Sequence, residues 1–247
     1  MRELKREDCA TVLIVAITPR QVDGSVDLAG AAANVRYLVD SGADFLMPMC
    51  GTGLVYDATL AEYEAVVGTF VDAAAGRALI VPGIGPGFGR ALEMGEIARS
   101  LGVAGVMVMP VVGPASALGV EQGMVRIARQ VQLPILLYQR RLDIMPVAQM
   151  VNLCALDEVV GLKYAVDDLR SFAQISDAVG ARAALVCGMA EDPALDYLAA
   201  GAMGFSSGMA NFAPRMSLAI LQHFNRGNKA AAAELRAEAT SHVQSVE

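Results

Sequence analysis

The stretch "ALIVPGIGPGFGRALEMGEIARSLGVAGVMVMP", Ala78 to Pro110, decides the fold. A short apolar run, ALIVPG, leads through a Gly/Pro turn into ALEMGEIARSLG, whose apolar residues recur three and four apart. A second short run, GVMVMP, follows. Runs of about four to eight apolar residues bounded by Gly and Pro fit strands buried on both faces, and the helical rhythm between them fits an amphipathic helix. The stretch reads as strand–helix–strand, the repeating unit of a parallel sheet.

The same grammar extends in both directions. TVLIVAIT (Thr11–Thr18) and DFLMPM (Asp44–Met49) precede the stretch; LPILLY (Leu133–Tyr138), VVGLK (Val159–Lys163), AALVCG (Ala183–Gly188) and GAMGFSS (Gly201–Ser207) follow it. Between them lie DLAGAAANVRYLVDSGA, TLAEYEAVVGTFVDAAAG with a Thr59–Glu62 capping box, and MVRIARQV. APRMSLAILQHFNRG reads as the eighth outer helix and NKAAAAELRAEATSHVQ as one more. Eight strand–helix units in 247 residues predict an α/β fold, a single (β/α)8 TIM barrel over 1–226, with a C-terminal helix over 227–247. A doubly wound sheet would carry its Gly-rich nucleotide turn after the first strand, where this chain has AITPRQVDG. GIGPGFG (Gly83–Gly89) follows the third run and has no acidic partner about 20 residues on.

Composition narrows the function. The net charge is −7 and no Lys/Arg block occurs, which argues against a nucleic-acid partner. The chain is apolar, with mean hydropathy +0.45, yet no run is long enough to span a bilayer, so no membrane partner is expected. The opening MRELKREDCA has no apolar core and does not read as a secretory signal. Cys9, Cys50, Cys154 and Cys187 are scattered, as free thiols of a reducing cytoplasm are. The only histidines, His223 and His242, lie near the C-terminus, far in sequence from the cysteines, so no zinc site and no other cofactor are expected.

In such a barrel, chemistry gathers at the C-terminal ends of the strands. Lys163 ends VVGLK, and a lysine there points into an enclosed pocket. As a neutral amine it can attack a carbonyl and form an imine that stabilises a neighbouring carbanion; alternatively it is a salt-bridged or snorkelling strand end. Tyr138 ends the preceding strand, level with Lys163, where a phenol can move protons or simply cap the core. The turn Gly51-Thr52-Gly53 offers backbone N–H groups to a carboxylate, or is an ordinary βα turn. Arg140 and Arg141 offer charge to a second carboxylate, and SSGMANF (Ser206–Phe212) offers hydroxyls and an amide; otherwise these are solvated loop residues.

These residues in this order resemble the dihydrodipicolinate synthase/N-acetylneuraminate lyase superfamily of class I, Schiff-base-forming barrels, from about Thr11 to Asn228. The likeness rests on the Gly-Thr-Gly turn, Tyr138 in LLYQR, Lys163 in VVGLK and Gly188 after the seventh run. It is strongest toward the 5-dehydro-4-deoxyglucarate dehydratase subgroup, through Tyr138-Gln139-Arg140, Ser206-Ser207 and Asn211-Phe212. The resemblance implies that Lys163 forms the imine with a 2-keto acid and that Tyr138 relays protons. It implies further that Gly51, Thr52 and Gly53 hold the carboxylate, with Gly188 among the substrate-binding positions. Arg140, Ser206, Ser207 and Asn211 then meet the distal polar part, where water is eliminated before decarboxylation. It also implies a small-molecule keto-acid substrate and a homo-oligomer, dimer or tetramer. Members usually carry Glu where Leu54 stands, an acidic residue where Tyr164 stands, a second relay tyrosine where Pro110–Gly113 reads PVVG, and about three C-terminal helices rather than one. Two other readings therefore stand beside the dehydratase: a pyruvate aldolase, and a barrel that binds a keto acid without catalysis.

Overall fold

The structure, a computed structural model, describes residues 2–111 and 113–244. Its strands are β1 (Val12–Val15), β2 (Phe45–Met47), β3 (Leu79–Ile80), β4 (Gly83–Ile84), β5 (Val106–Val108), β6 (Ile135–Gln139), β7 (Val159–Tyr164), β8 (Ala184–Cys187) and β9 (Gly204–Ser207). The helices between and after them are α1 (Leu28–Asp40), α2 (Leu60–Ala74), α3 (Phe88–Ser100), α4 (Ala117–Val131), α5 (Val147–Leu153), α6 (Leu169–Val179), α7 (Ala194–Ala199), α8 (Pro214–Asn225) and α9 (Lys229–Gln244). The strands pair in the order β3-β2-β1-β9-β8-β7-β6-β5-β4, every pairing parallel.

The expected eight strands emerge as nine because the run ALIVPG is divided. Pro82 has no N–H to give the ladder, and strand assignment stops on either side of it. Hydrogen bonding nevertheless continues past the division. Val81 N donates to Leu46 O (3.0 Å) and Gly83 N to Pro48 O (3.1 Å) on one side; Met107 N donates to Pro82 O (2.9 Å) and Met109 N to Ile84 O (2.9 Å) on the other. The result is a curled parallel sheet with helices outside, an α/β fold of the TIM-barrel kind.

Local chemistry starts the helices where the sequence predicts. Asp27, Thr59, Ser116 and Asp168 each accept a backbone N–H three residues on, and Thr59–Glu62 forms the full capping box. GIGPGFG becomes β4, a turn and the N-cap of α3. A side chain at Gly83 would run into the Met49 carbonyl and Cys50, so this glycine serves strand packing. All four cysteines are free and buried; burial pushes the thiols up, to about 12 for Cys9, Cys50 and Cys154 and about 11 for Cys187. The helix α9 lies against α8, and its Arg236 Nη1 and Thr240 Oγ1 donate to Asp192 at 3.3 Å each. Of the expected C-terminal unit, 245–247 lie outside the described residues, as does Val112 in PVVG. No helix among the described residues is long and apolar enough to cross a membrane.

Candidate active site

Side chains alternate along a strand, so Leu162 and Tyr164 point to the helices while Lys163 points to the inner side of the curled sheet. Tyr164 is fully buried against Phe172 and Tyr197, with ring centroids 5.5 and 6.2 Å away, and its hydroxyl donates to Asp168 O. Its position beside the lysine is thus packing, and the departure from an acidic residue adds a hydrophobic prop behind β7. Lys163 itself is 5% exposed. It sits opposite Tyr138 in the β6–β7 register, with Nζ 3.8 Å from the centre of the Tyr138 ring, a cation–π distance. Nζ also donates to Gly188 O at 3.4 Å, and Arg140 Nη1 donates to the Tyr138 hydroxyl at 3.3 Å. The two strand ends read as a pair from the sequence do meet.

They open into a cavity of about 430 Å³ whose wall also holds Gly51, Thr52, Gly188 and Ser206. After β2 the chain turns tightly, with Leu54 N donating to Gly51 O and Val55 N to Cys50 O. Among the described residues, no group accepts from the N–H groups of Gly51, Thr52 and Gly53, and the Thr52 hydroxyl has no partner. A Cβ added at Gly51 would meet nothing within 4 Å, so this position opens to the cavity. The turn is anchored from behind by Arg90 Nη2, which donates to Val55 O (3.2 Å) and Ala58 O (2.5 Å).

Four of the predicted residues do other work. Gly53 is buried; its carbonyl accepts the Thr18 hydroxyl at 2.8 Å, and a Cβ there would press on Met49 N at 2.9 Å. Ser207 points away from Ser206, as the next residue of a strand must, and donates to Glu191 Oε1 at 2.5 Å. Asn211 clamps backbone: its Nδ2 donates to Val15 O (2.9 Å) and Gly208 O (2.7 Å), and its Oδ1 accepts from Ile17 N (3.1 Å). Arg141 turns outward to Asp143 at 2.6 Å on the surface.

The sequence reading also passed over three features. Cys50 lines the cavity within the field of Lys163, which partly offsets the burial that pushes its thiol up. Met189 and Ala190 line it from the loop after β8, with Ala190 in the left-handed region at φ 61°. Glu191, 4% exposed, is the lone buried acidic side chain among the described residues. Cys50 could have been found from its place beside the Gly-Thr-Gly turn; the other two carry no motif.

Comparison with known proteins agrees with this geometry. Residues 8–245 match the model of the dihydrodipicolinate synthetase family. The chain is 32% identical over 229 residues to a probable 5-dehydro-4-deoxyglucarate dehydratase 1 of Streptomyces coelicolor, covering 88% of this chain and 72% of that one. It is 30% identical over 210 residues to a 4-hydroxy-tetrahydrodipicolinate synthase of Saccharophagus degradans, covering 83% and 72%. The crystal structure of a dihydrodipicolinate synthase from Oceanobacillus iheyensis superposes with TM-score 0.91 at 28% identity, over 95% of this chain and 79% of that one.

Proposed function

We propose a function from the premise that the chain belongs to the dihydrodipicolinate synthetase family: it is a lysine Schiff-base lyase that dehydrates an acidic keto-deoxy sugar of the 5-dehydro-4-deoxyglucarate kind. The name of the Streptomyces coelicolor relative and the polar Arg140–Ser206 wall support the substrate class. The observation that carries the chemistry is the Lys163 amine over the Tyr138 ring, inside one cavity with the open Gly51–Thr52 turn.

In this reading the Lys163 amine adds to the ketone carbon of the substrate. The former ketone oxygen leaves as water, and an imine remains. The carboxylate next to that carbon accepts the N–H groups of Gly51 and Thr52 and the Thr52 hydroxyl. The imine then draws in the electron pair left when a proton departs the neighbouring carbon, and the hydroxyl one carbon further leaves as water. The Tyr138 hydroxyl, held by Arg140, carries these protons. Arg140 and Ser206 face the distal end, where the second carboxyl is lost after dehydration. Gly53, Ser207 and Asn211 serve as scaffold for this site.

The continuous hydrogen bonding past Pro82 supports a closed (β/α)8 barrel over 1–226, with 227–247 as an appended helix. Exposed Leu54, Tyr56, Phe88 and Leu118 follow the ends of β2, β4 and β5 and support a homo-oligomer. The free, buried thiols fit a cytoplasmic setting.

Incubation with 2-keto acids and borohydride, followed by intact mass, tests the mechanism. Wild-type protein gains one adduct; Lys163→Ala and Lys163→Arg gain none and lose turnover, since a guanidinium stays protonated. Arg140→Ala weakens acidic-sugar substrates at least tenfold more than pyruvate. Adducts with pyruvate but no turnover of any sugar acid shift the reading to an aldolase. No adduct with any 2-keto acid ends the lyase reading in favour of a binding protein.

A further inference from the structure

The loop from Gly188 to Pro193 carries a buried carboxylate that the reaction itself does not use. Glu191 is 4% exposed, and its Oε1 accepts two hydroxyls at 2.5 Å each: Ser207 at the end of β9 and Ser217 in the first turn of α8. Both serines are almost fully buried, and the Ser207 hydroxyl also accepts Ala210 N at 2.8 Å. A buried carboxylate is costly unless hydrogen bonds compensate it, and the first turn of a helix further favours a negative charge. The residue just before it, Ala190, sits at φ 61°, a conformation that costs a non-glycine residue about 1 kcal/mol or more unless the surroundings hold it. Three elements are thus tied to one oxygen, and the strained link between that oxygen and the cavity runs through Ala190, Met189 and Gly188. Gly188 O is the acceptor of Lys163 Nζ at 3.4 Å. From outside, α9 clamps the same loop at Asp192.

We propose that Glu191 is a positioning residue: by locking the β8–α7 loop to Ser207 and Ser217, it sets the Gly188 carbonyl that fixes where the Lys163 amine stands. It touches no substrate. Its consequence for turnover rests on the function proposed above, but the positioning itself does not.

The test is therefore read without substrate. The chain has three lysines, and Lys5 and Lys229 are exposed, so they serve as internal references. Trace labelling with acetic anhydride, quantified by peptide mass spectrometry, gives the reactivity of Lys163 relative to those two. Glu191→Ala raises the relative labelling of Lys163 at least fivefold, while Glu191→Gln, whose amide oxygen still accepts both hydroxyls, stays within twofold of wild type. Where Glu191→Ala does not fold, Ser217→Ala removes one tie from outside the cavity and raises labelling at least threefold. Unchanged Lys163 labelling in a folded Glu191→Ala or Ser217→Ala protein overturns the proposal. So does a Glu191→Gln protein that behaves like the alanine variant. Pyruvate trapping in the same variants separates the two ideas. A wild type that never traps a keto acid ends the lyase reading, while the labelling ratio still decides the role of Glu191.

Discussion

The turn after β2 and the loop after β8 line the same cavity, and they are held in opposite ways. The first turn leaves the N–H groups of Gly51 and Thr52, both on the cavity wall, without an acceptor among the described residues, and it is fixed from behind, by Arg90 on two carbonyls and by the Thr59–Glu62 box at the start of α2. The second spends its polar groups on the protein: Gly188 N on Tyr164 O, Gly188 O on Lys163, Glu191 on two serines. The difference teaches which glycines leave room at the cavity and which serve the fold. An open glycine with unpaired N–H groups is a place for an anion to sit; a glycine pressed by its neighbours is there so that strands can close on each other.

The sharpest break between the two is a methyl group at Gly188. Its Cβ would lie 2.7 Å from the Ala165 Cβ and 2.8 Å from Tyr164 O, and neither is the far end of a flexible side chain. Gly188→Ala should destabilise the protein by about 2 kcal/mol or more, read as a lower urea midpoint. A variant as stable as wild type would show that this loop yields as readily as the other. The counterpart is Gly51→Val, placed where a Cβ meets nothing within 4 Å. Its stability should stay within about 0.5 kcal/mol of wild type, while keto-acid affinity falls at least tenfold, about 1.4 kcal/mol. Unaltered affinity in that folded variant would remove the turn from the binding site.

A smaller effect tests the anchor behind the β2 turn. Thr59→Ala removes the cap of α2 and should cost about 1 kcal/mol. The smallest is a matter of pH. The Thr59 N–H first, and then Arg20, hold the Glu62 carboxyl down at about 2. A carboxyl depressed on folding contributes stability that is full above its ordinary range and fades as pH falls toward about 2. Glu62→Gln should therefore lower stability slightly at neutral pH, and the difference from wild type should shrink as pH falls from about 4.5 toward about 2. A wild-type curve already flat between pH 5 and 2 would contradict it.

Much of this was legible beforehand. The strand–helix rhythm from Thr11 to Ser207, the capping box and the eighth and ninth helices follow from local pattern: which residues can alternate, cap or turn is set by neighbours within a few positions. Lys163 and Tyr138 were found the same way, because a strand end is a local feature and adjacent strands of a parallel sheet bring their ends level. What the chain alone could not decide was direction and partnership. Ser206 and Ser207 look interchangeable in the sequence, yet one faces the cavity and the other faces Glu191, since a single step along a strand reverses the side chain. Arg140 and Arg141 divide in the same manner between the Tyr138 hydroxyl and surface Asp143. Gly51 and Gly53, two residues apart, differ because only one has the backbone of Met49 and Ala16 against it. Asn211 and Glu191 are the furthest cases: their partners lie up to 196 residues away, and hydrogen bonds at that separation exist only once the sheet has curled. Periodicity determined the strands, the helices and the end of the sheet at which the candidate residues gather. Packing decided which of the polar groups gathered there still face the cavity.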